Sequence, residues 1–144
     1  MYSPDVISFA REKGYFDGVN KDFSFADAYA PLDFGARRYC EARVWSYFNM
    51  FTARGNEFLP YILGDTDTPM PLFVKPNRKI SVQDVKNAMR DHYEGTPLDI
   101  SRDFGAGPYH TPYRLSPLSF KVGDKEYFNE RPISTPVSYT HLTL

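Results

Sequence analysis

Proline and glycine confine regular structure in this chain to a few short stretches. Two segments, residues 55–79 and 96–117, are so rich in these two residues that they are predicted to form long loops. The rest of the sequence leaves room for three helices and one β-hairpin. A hairpin alone offers too little sheet to cover three helices. We therefore expect the α+β fold class, and a chain that forms part of a larger structure.

The first and third predicted helices have recognisable ends. Ser3 and Pro4 suit the start of the first helix, and Gly14 suits its end. The third helix is predicted to begin at Ser81, where Asp84 is placed to complete a capping box.

The second predicted helix runs from about Asp33 to Ala53 and contains the single cysteine, Cys40. Apolar residues recur along it at steps of three and four, the helical period. They are Ala36, Cys40, Val44, Tyr47, Phe48 and Phe51. A thiol within such a stripe is usually inert packing, so we do not assign Cys40 as a nucleophile.

The period changes to two near the C-terminus. Leu118, Phe120 and Val122 alternate with polar residues, and Gly123–Asp124 suits a two-residue hairpin turn. The return strand is predicted at residues 125–128.

Composition argues against several functional classes. The formal net charge is −1, so no field of one sign is available to attract nucleic acid. No apolar run approaches the roughly 20 residues of a membrane span. The histidines and the single cysteine form no metal-ligand pattern, so no metal site is predicted.

Two polar clusters are candidates for substrate contact. Asp91 and His92 lie in the densest one, although neighbouring residues of a helix point about 100° apart and do not form a ready pair. Charged groups that bond loop carbonyls at a helix end are the simpler explanation. Arg131, with Ser134 in the same string, either binds a substrate carboxylate through paired hydrogen bonds or forms a surface ion pair.

Six strings, taken together and in order, resemble segments of the bacterial cysteine dipeptidases of the dipeptidase A family, to which the secernins are distantly similar. The strings are Ser3–Val6, Tyr29–Gly35, Cys40–Trp45, Met89–Thr96, Gly105–Tyr109 and Arg131–Thr135. The resemblance covers essentially all of residues 1–135.

This resemblance implies a fold, a reaction and a site. The family is similar to other N-terminal-nucleophile hydrolases, with an αββα sandwich, and it hydrolyses dipeptides without a cofactor. Its nucleophile is a cysteine at the first position of the mature chain, whose α-amino group serves as the base. Position 1 here is Met1, so we expect a partial dipeptidase domain that lacks the nucleophile and is inactive alone. The residues carried forward as substrate-binding candidates are Arg131, Ser134, Asp91 and His92.

The last nine residues are predicted to be foreign to the protein. Residues 137–144 are encoded by GTC TCT TAT ACA CAT CTG ACG CTG if they derive from a transposon end and adapter used in shotgun sequencing, and Pro136 would then be a junction codon. We therefore divide the chain into residues 1–135, a partial dipeptidase domain, and residues 136–144, a translated adapter.

One rival function stays open at this stage, a non-catalytic, aromatic-rich binding or scaffold module. The 12 Phe, 11 Tyr and 1 Trp would suit broad contact surfaces. The sequence leaves open whether the parent enzyme is cytoplasmic or exported, and whether it assembles as a homo-oligomer.

Overall fold

The computed structural model describes residues 3–30, 32–103, 106–112, 119–128 and 131–135. The chain divides into two compact units, one up to Asp33 and one from Phe34 onward. The first unit contains α1 (Val6–Glu12), a 3-10 turn (Asn20–Asp22) and α2 (Phe25–Tyr29). The second contains α3 (Phe34–Ala36), a π-turn (Arg37–Glu41), α4 (Ala42–Phe51), a 3-10 turn (Gly55–Phe58), α5 (Leu59–Leu63), α6 (Val82–Ala88), a 3-10 turn (Pro108–His110), β1 (Ser119–Val122) and β2 (Lys125–Phe128). In the described ranges the chain is thus mainly helix and loop with one small hairpin.

The first unit is organised around Tyr29. Its hydroxyl donates to the Val6 carbonyl at 2.6 Å. Its ring contacts four aromatic neighbours, which are Phe9, Tyr15, Phe23 and Phe25. These aromatic side chains therefore pack against one another within the first unit.

A π-turn interrupts the long second helix. α3 leads into residues Arg37–Glu41, after which the Ala42 N–H bonds to the Arg37 carbonyl five residues back. A π-turn holds more residues per turn than an α-helix, so it changes the phase of every side chain that follows. α4 accordingly buries Ala42, Trp45, Ser46 and Phe51.

The predicted apolar stripe is confirmed at Phe51, which is buried, and is wrong at Cys40 and Val44, although the predicted extent of the helix agrees closely with the structure. Val44 is 41% exposed and Cys40 is exposed, where both were expected to be buried. The physical reason is the π-turn, which a uniform helical period cannot anticipate.

α5 was not predicted, because its segment was assigned to a loop on account of its prolines. Pro60 lies in the first turn, where the missing N–H costs no hydrogen bond. The helix buries Tyr61 and Ile62 and ends at Gly64, which adopts a left-handed φ of 86°. A proline at this position starts a helix rather than breaking one.

The start of α6 and the hairpin turn follow the sequence more closely, whereas α6 ends at Ala88, so Asp91 and His92 lie in a loop and not on the helix expected there. Ser81 and Asp84 form the expected capping box at the start of α6. β1 and β2 pair antiparallel, with Phe120 opposite Tyr127 and Gly123 at a φ of 60° in the turn. The first helix begins after Asp5 rather than at Ser3, without a side-chain cap.

The core of the second unit is small and surrounds α4. Its buried members are Ala42, Trp45, Tyr61, Ile62, Tyr93, Leu98 and Ile100. Trp45 anchors it, since its ring is fully buried and its Nε1 donates to the Gly55 carbonyl at 3.1 Å. None of the helices in the described ranges is long and apolar enough to span a bilayer.

Candidate functional site

The loop that follows α6 contains a strained residue at its centre. Tyr93 has a φ of 65°, which is uncommon for a residue other than glycine. Its side chain is completely buried in the core, and its hydroxyl donates to the Arg131 carbonyl at 2.7 Å. The core thereby holds this loop and the segment at residue 131 in one place.

A second bond joins the same two segments. The Ser134 N–H donates to the Asp91 carbonyl at 3.0 Å, and both Ile133 and Ser134 are buried. The structure thus brings together the two loops that contain the four residues nominated from the sequence. We call residues 91–94 and 131–135 the paired loops.

Asp91 is half-buried, and its carboxylate accepts a hydrogen bond from the Ser46 hydroxyl at 2.6 Å. Burial raises the pKa of Asp91 above its ordinary value, and the bond from Ser46 opposes this only in part. The carboxyl group is therefore easier to protonate than an exposed aspartate.

His92 is held by Glu94. The His92 backbone N–H donates to Oε2 of Glu94 at 2.8 Å, and Nδ1 of the ring lies 2.9 Å from Oε1. Burial raises the pKa of Glu94, but the hydrogen bonds from His92 outweigh it, and the net direction is down. Asp91 and His92 thus have separate partners, Ser46 and Glu94.

The other two nominated residues have contrasting surroundings. The Arg131 side chain is exposed, and it makes no hydrogen bond or ion pair with a residue that the structure describes. Ser134 is only 2% exposed, and its hydroxyl lacks a hydrogen-bond partner within the described ranges. Arg131 is therefore the nominated residue that is most accessible to a ligand.

An open groove of about 480 Å³ lies beside the paired loops. We call it the α4 groove. It is lined by Cys40, Arg43, Val44, Tyr47, Met89 and Ile133. The π-turn and α4 supply one wall, and Met89 and Ile133 supply the other.

Sequence reasoning did not single out Arg43 or Tyr47 as site residues. Tyr47 donates to the Met89 sulfur at 3.0 Å, and burial together with Asp91 raises its pKa. Arg43 lies within the string Cys40–Trp45, which resembles a family segment. The helical-period argument considered only the apolar positions of that string and therefore did not identify Arg43. Among the described residues, no three His, Cys, Asp or Glu side chains are grouped so as to hold a metal ion.

Comparison with known proteins gives a family and one relative. The model of peptidase family C69 matches residues 1–135. A protein of Salmonella dublin with the name "Probable dipeptidase" is 37% identical over 99 residues, which cover 69% of this chain and 22% of the relative. The match thus spans about a fifth of that relative's length. No solved structure matches.

Proposed function

The chain belongs to peptidase family C69, and on that basis we propose that it is part of a dipeptidase that hydrolyses dipeptides through a cysteine nucleophile. The observation that carries the proposal is the family match over residues 1–135. The name of the Salmonella dublin relative supports the same reaction.

We assign the nucleophilic step to a cysteine other than Cys40. Cys40 is the single cysteine of these 144 residues, and its thiol has no hydrogen bond to any residue that the structure describes. A cysteine nucleophile needs a neighbouring base or cation that favours the thiolate. The proposed reaction therefore uses a residue that this sequence does not contain.

The proposed reaction has two steps, acylation of the thiol and hydrolysis of the thioester. The α-amino group of an N-terminal cysteine takes the thiol proton, and the thiolate attacks the dipeptide carbonyl. The C–N bond breaks, and the second amino acid leaves as an amine with that proton. Water then attacks the thioester, which releases the first amino acid and restores the thiol.

We further propose that the described elements belong to an αββα sandwich. Within the described ranges β1 and β2 pair only with each other, and all four residues of β1 are exposed. An isolated hairpin is marginally stable in water, so these strands suit the edge of a larger sheet.

Within this enzyme, we assign substrate contact to the paired loops, with Arg131 as the contacting side chain. Two buried hydrogen bonds, from Tyr93 and from Ser134, fix the backbone of these loops. A rigid backbone lets a guanidinium bind a carboxylate or a developing oxyanion at low entropic cost. Asp91, His92 and Ser134 would position the loops rather than touch the substrate.

The test uses the intact protein that carries this sequence. Purified protein is incubated with a panel of dipeptides, and released amino acids are quantified by mass spectrometry. We expect hydrolysis that persists in Cys40→Ser and that iodoacetamide abolishes in that variant as well, because the nucleophile is a different cysteine. Absence of hydrolysis across the panel would refute the dipeptidase proposal, and loss of activity in Cys40→Ser would refute the assignment of the nucleophile.

A further inference from the structure

We propose that Arg43 binds the terminal carboxylate of the peptide substrate in the α4 groove and so determines specificity for free dipeptides. The inference rests on the proposed dipeptidase function and adds to it a residue and a binding place. With the carboxylate at Arg43, the contact left to Arg131 is the developing oxyanion. Three observations carry it, namely that Arg43 makes no hydrogen bond or ion pair with a described residue, the lining of the groove, and the charges around it.

Arg43 differs from the neighbouring Arg37 in how its guanidinium is used. Arg37 donates to the Thr66 carbonyl at 3.1 Å, contacts Asp67 at 2.6 Å and stacks over the Tyr61 ring at 4.7 Å. Arg43 makes no hydrogen bond and no ion pair with any residue that the structure describes. None of its five N–H donors is used by a described residue.

The charge around Arg43 favours an anion. Its neighbours one helical turn away on α4 are Ser46 and Tyr47, neither of which is acidic. The carboxylate of Asp91, on the adjoining loop, accepts a hydrogen bond from the Ser46 hydroxyl. Arg43 and Arg38 both act on the phenol of Tyr93, where they favour its ionised form against the effects of burial and of Asp91. The described residues that line the groove include Arg43 and no acidic side chain, so a carboxylate that enters it meets a cation. Asp91 lies outside this lining, although its charge acts on Tyr47.

The rest of the lining suits a small, partly apolar molecule. Val44, Met89 and Ile133 supply apolar walls, and Tyr47 supplies a ring and a hydroxyl. A volume of about 480 Å³ falls within the ordinary size of small-molecule sites. A dipeptide has this composition, with apolar side chains and one carboxylate at its end.

The first experiment compares a dipeptide with its C-terminal amide in the intact protein. Arg43→Met keeps the aliphatic bulk and removes the charge, and Arg43→Lys retains the charge but not the bidentate geometry. We expect kcat/KM for the free dipeptide to fall about 10- to 100-fold in Arg43→Met, because a hydrogen bond to a charged group is lost. The amide, which the wild-type protein should cleave poorly, should be cleaved equally by both proteins.

Arg54→Met is the matched control, because Arg54 is exposed and pairs only with Glu57 on the surface. It should leave both substrates unaffected. An equal loss on dipeptide and amide in Arg43→Met, or no loss on either, would overturn the inference. Hydrolysis of neither substrate by the wild-type protein would instead refute the proposed function.

The second experiment needs no activity, because Cys40 lies in the same groove and reports on its occupancy. Alkylation of Cys40 by iodoacetamide is followed by peptide mapping, with and without a dipeptide analogue whose scissile amide is reduced. The analogue with a free carboxylate should slow alkylation, and its C-terminal amide should not. Equal protection by both compounds, or protection by neither, would overturn the assignment even if every variant failed to fold.

Discussion

At the scale of single residues, the paired loops show why a polar cluster is not by itself a site. Asp91 is bonded to Ser46, His92 to Glu94, and Tyr93 to the backbone of Arg131. Each of these bonds fixes the loops in place. The side chains of Arg131 and Arg43 make no hydrogen bond or ion pair with a described residue, and Arg131 was predicted from the sequence because it follows the hairpin.

Substitution of Arg131 tests its proposed contact with the substrate. Arg131→Ala should reduce kcat/KM in the intact protein by an amount that corresponds to about 1.5–3 kcal/mol, the usual contribution of a hydrogen bond to a charged group. Arg131→Lys should recover part of it. Arg102→Ala, which removes an exposed arginine 3.4 Å from Asp99, is the control. Unchanged kinetics in both Arg131 variants would show that Arg131 is a surface residue that does not contact the substrate.

Asp91 should make the stability of the protein depend on pH. Because burial raises its pKa in the folded state above the unfolded value, the folded protein binds more protons between those two pKa values. Its contribution to the free energy of unfolding is therefore complete at low pH and is lost as the pH rises through the folded pKa. Asp91→Asn still accepts a hydrogen bond from Ser46 but cannot ionise, so it should lose this dependence.

The measurement is urea unfolding of the intact wild-type protein and of Asp91→Asn at about pH 3, below the ordinary pKa of an aspartate, and at about pH 7.5. The wild-type protein should lose more stability than the variant between these two conditions. Asp17→Asn, at an exposed position, should behave as the wild type. Parallel losses in wild type and Asp91→Asn would show that Asp91 does not titrate in this range.

At the scale of elements, the sequence predicted those features that depend on local chemistry. The capping box of Ser81 and Asp84 and the turn at Gly123 were both located correctly, because each is set by a few adjacent residues. The phase of α4 was not predicted correctly, since a uniform helical period does not reveal a π-turn. In the structure, Arg37 at the start of that turn contacts Asp67 and Tyr61, which lie far from it in sequence. The same error placed Cys40 in the packed face of the helix, so the α4 groove, which Cys40 lines, was not predicted.

The contact between α4 and the turn after it should tolerate no side chain at Gly55. A Cβ at this position would lie 2.1 Å from the Cα of Asn49, so the backbone of α4 would have to move. We expect Gly55→Ala to lower the free energy of unfolding by about 3 kcal/mol, the upper end of the range for overpacking. Circular dichroism during urea unfolding measures the effect.

Gly95→Ala is the comparison that separates crowding from backbone strain. Gly95 has a φ of 73°, but nothing lies within 4 Å of a Cβ built there. Its replacement should cost only the left-handed conformation, about 1 kcal/mol. A smaller effect at Gly55 than at Gly95 would contradict the packing described for α4.

At the scale of the whole molecule, the 144-residue chain should be poorly stable and inactive by itself. Its described surface includes Leu72, Phe73 and Val82, which are 85%, 84% and 74% exposed. Exposed apolar side chains and an unpaired hairpin edge favour association. We expect aggregates in sedimentation and no hydrolysis of dipeptides.

Leu72→Ser combined with Phe73→Ser should increase the soluble fraction of the isolated chain without restoring activity. A monomeric wild-type chain with a cooperative thermal transition would show that it is self-sufficient. Dipeptide hydrolysis that disappears in Cys40→Ala would show that it contains its own nucleophile.

The foreign origin of residues 136–144 stays a prediction, because these residues lie outside the described ranges. Amplification of the locus from source DNA should give, after the codon for Thr135, a sequence other than the adapter. Genomic reads that continue through Val137, Ser138 and Tyr139 with varied flanking sequence would show that the tail is native.

The π-turn also has a consequence for the history of this protein. A π-turn holds one residue more than the α-helical turn it replaces, so a single-residue insertion into a helix would produce one. Relatives without that insertion should align with a one-residue gap between Arg37 and Glu41. In those relatives the residue at the position of Cys40 would rotate toward the helix packing. The groove would then be a feature acquired by some lineages and not by others.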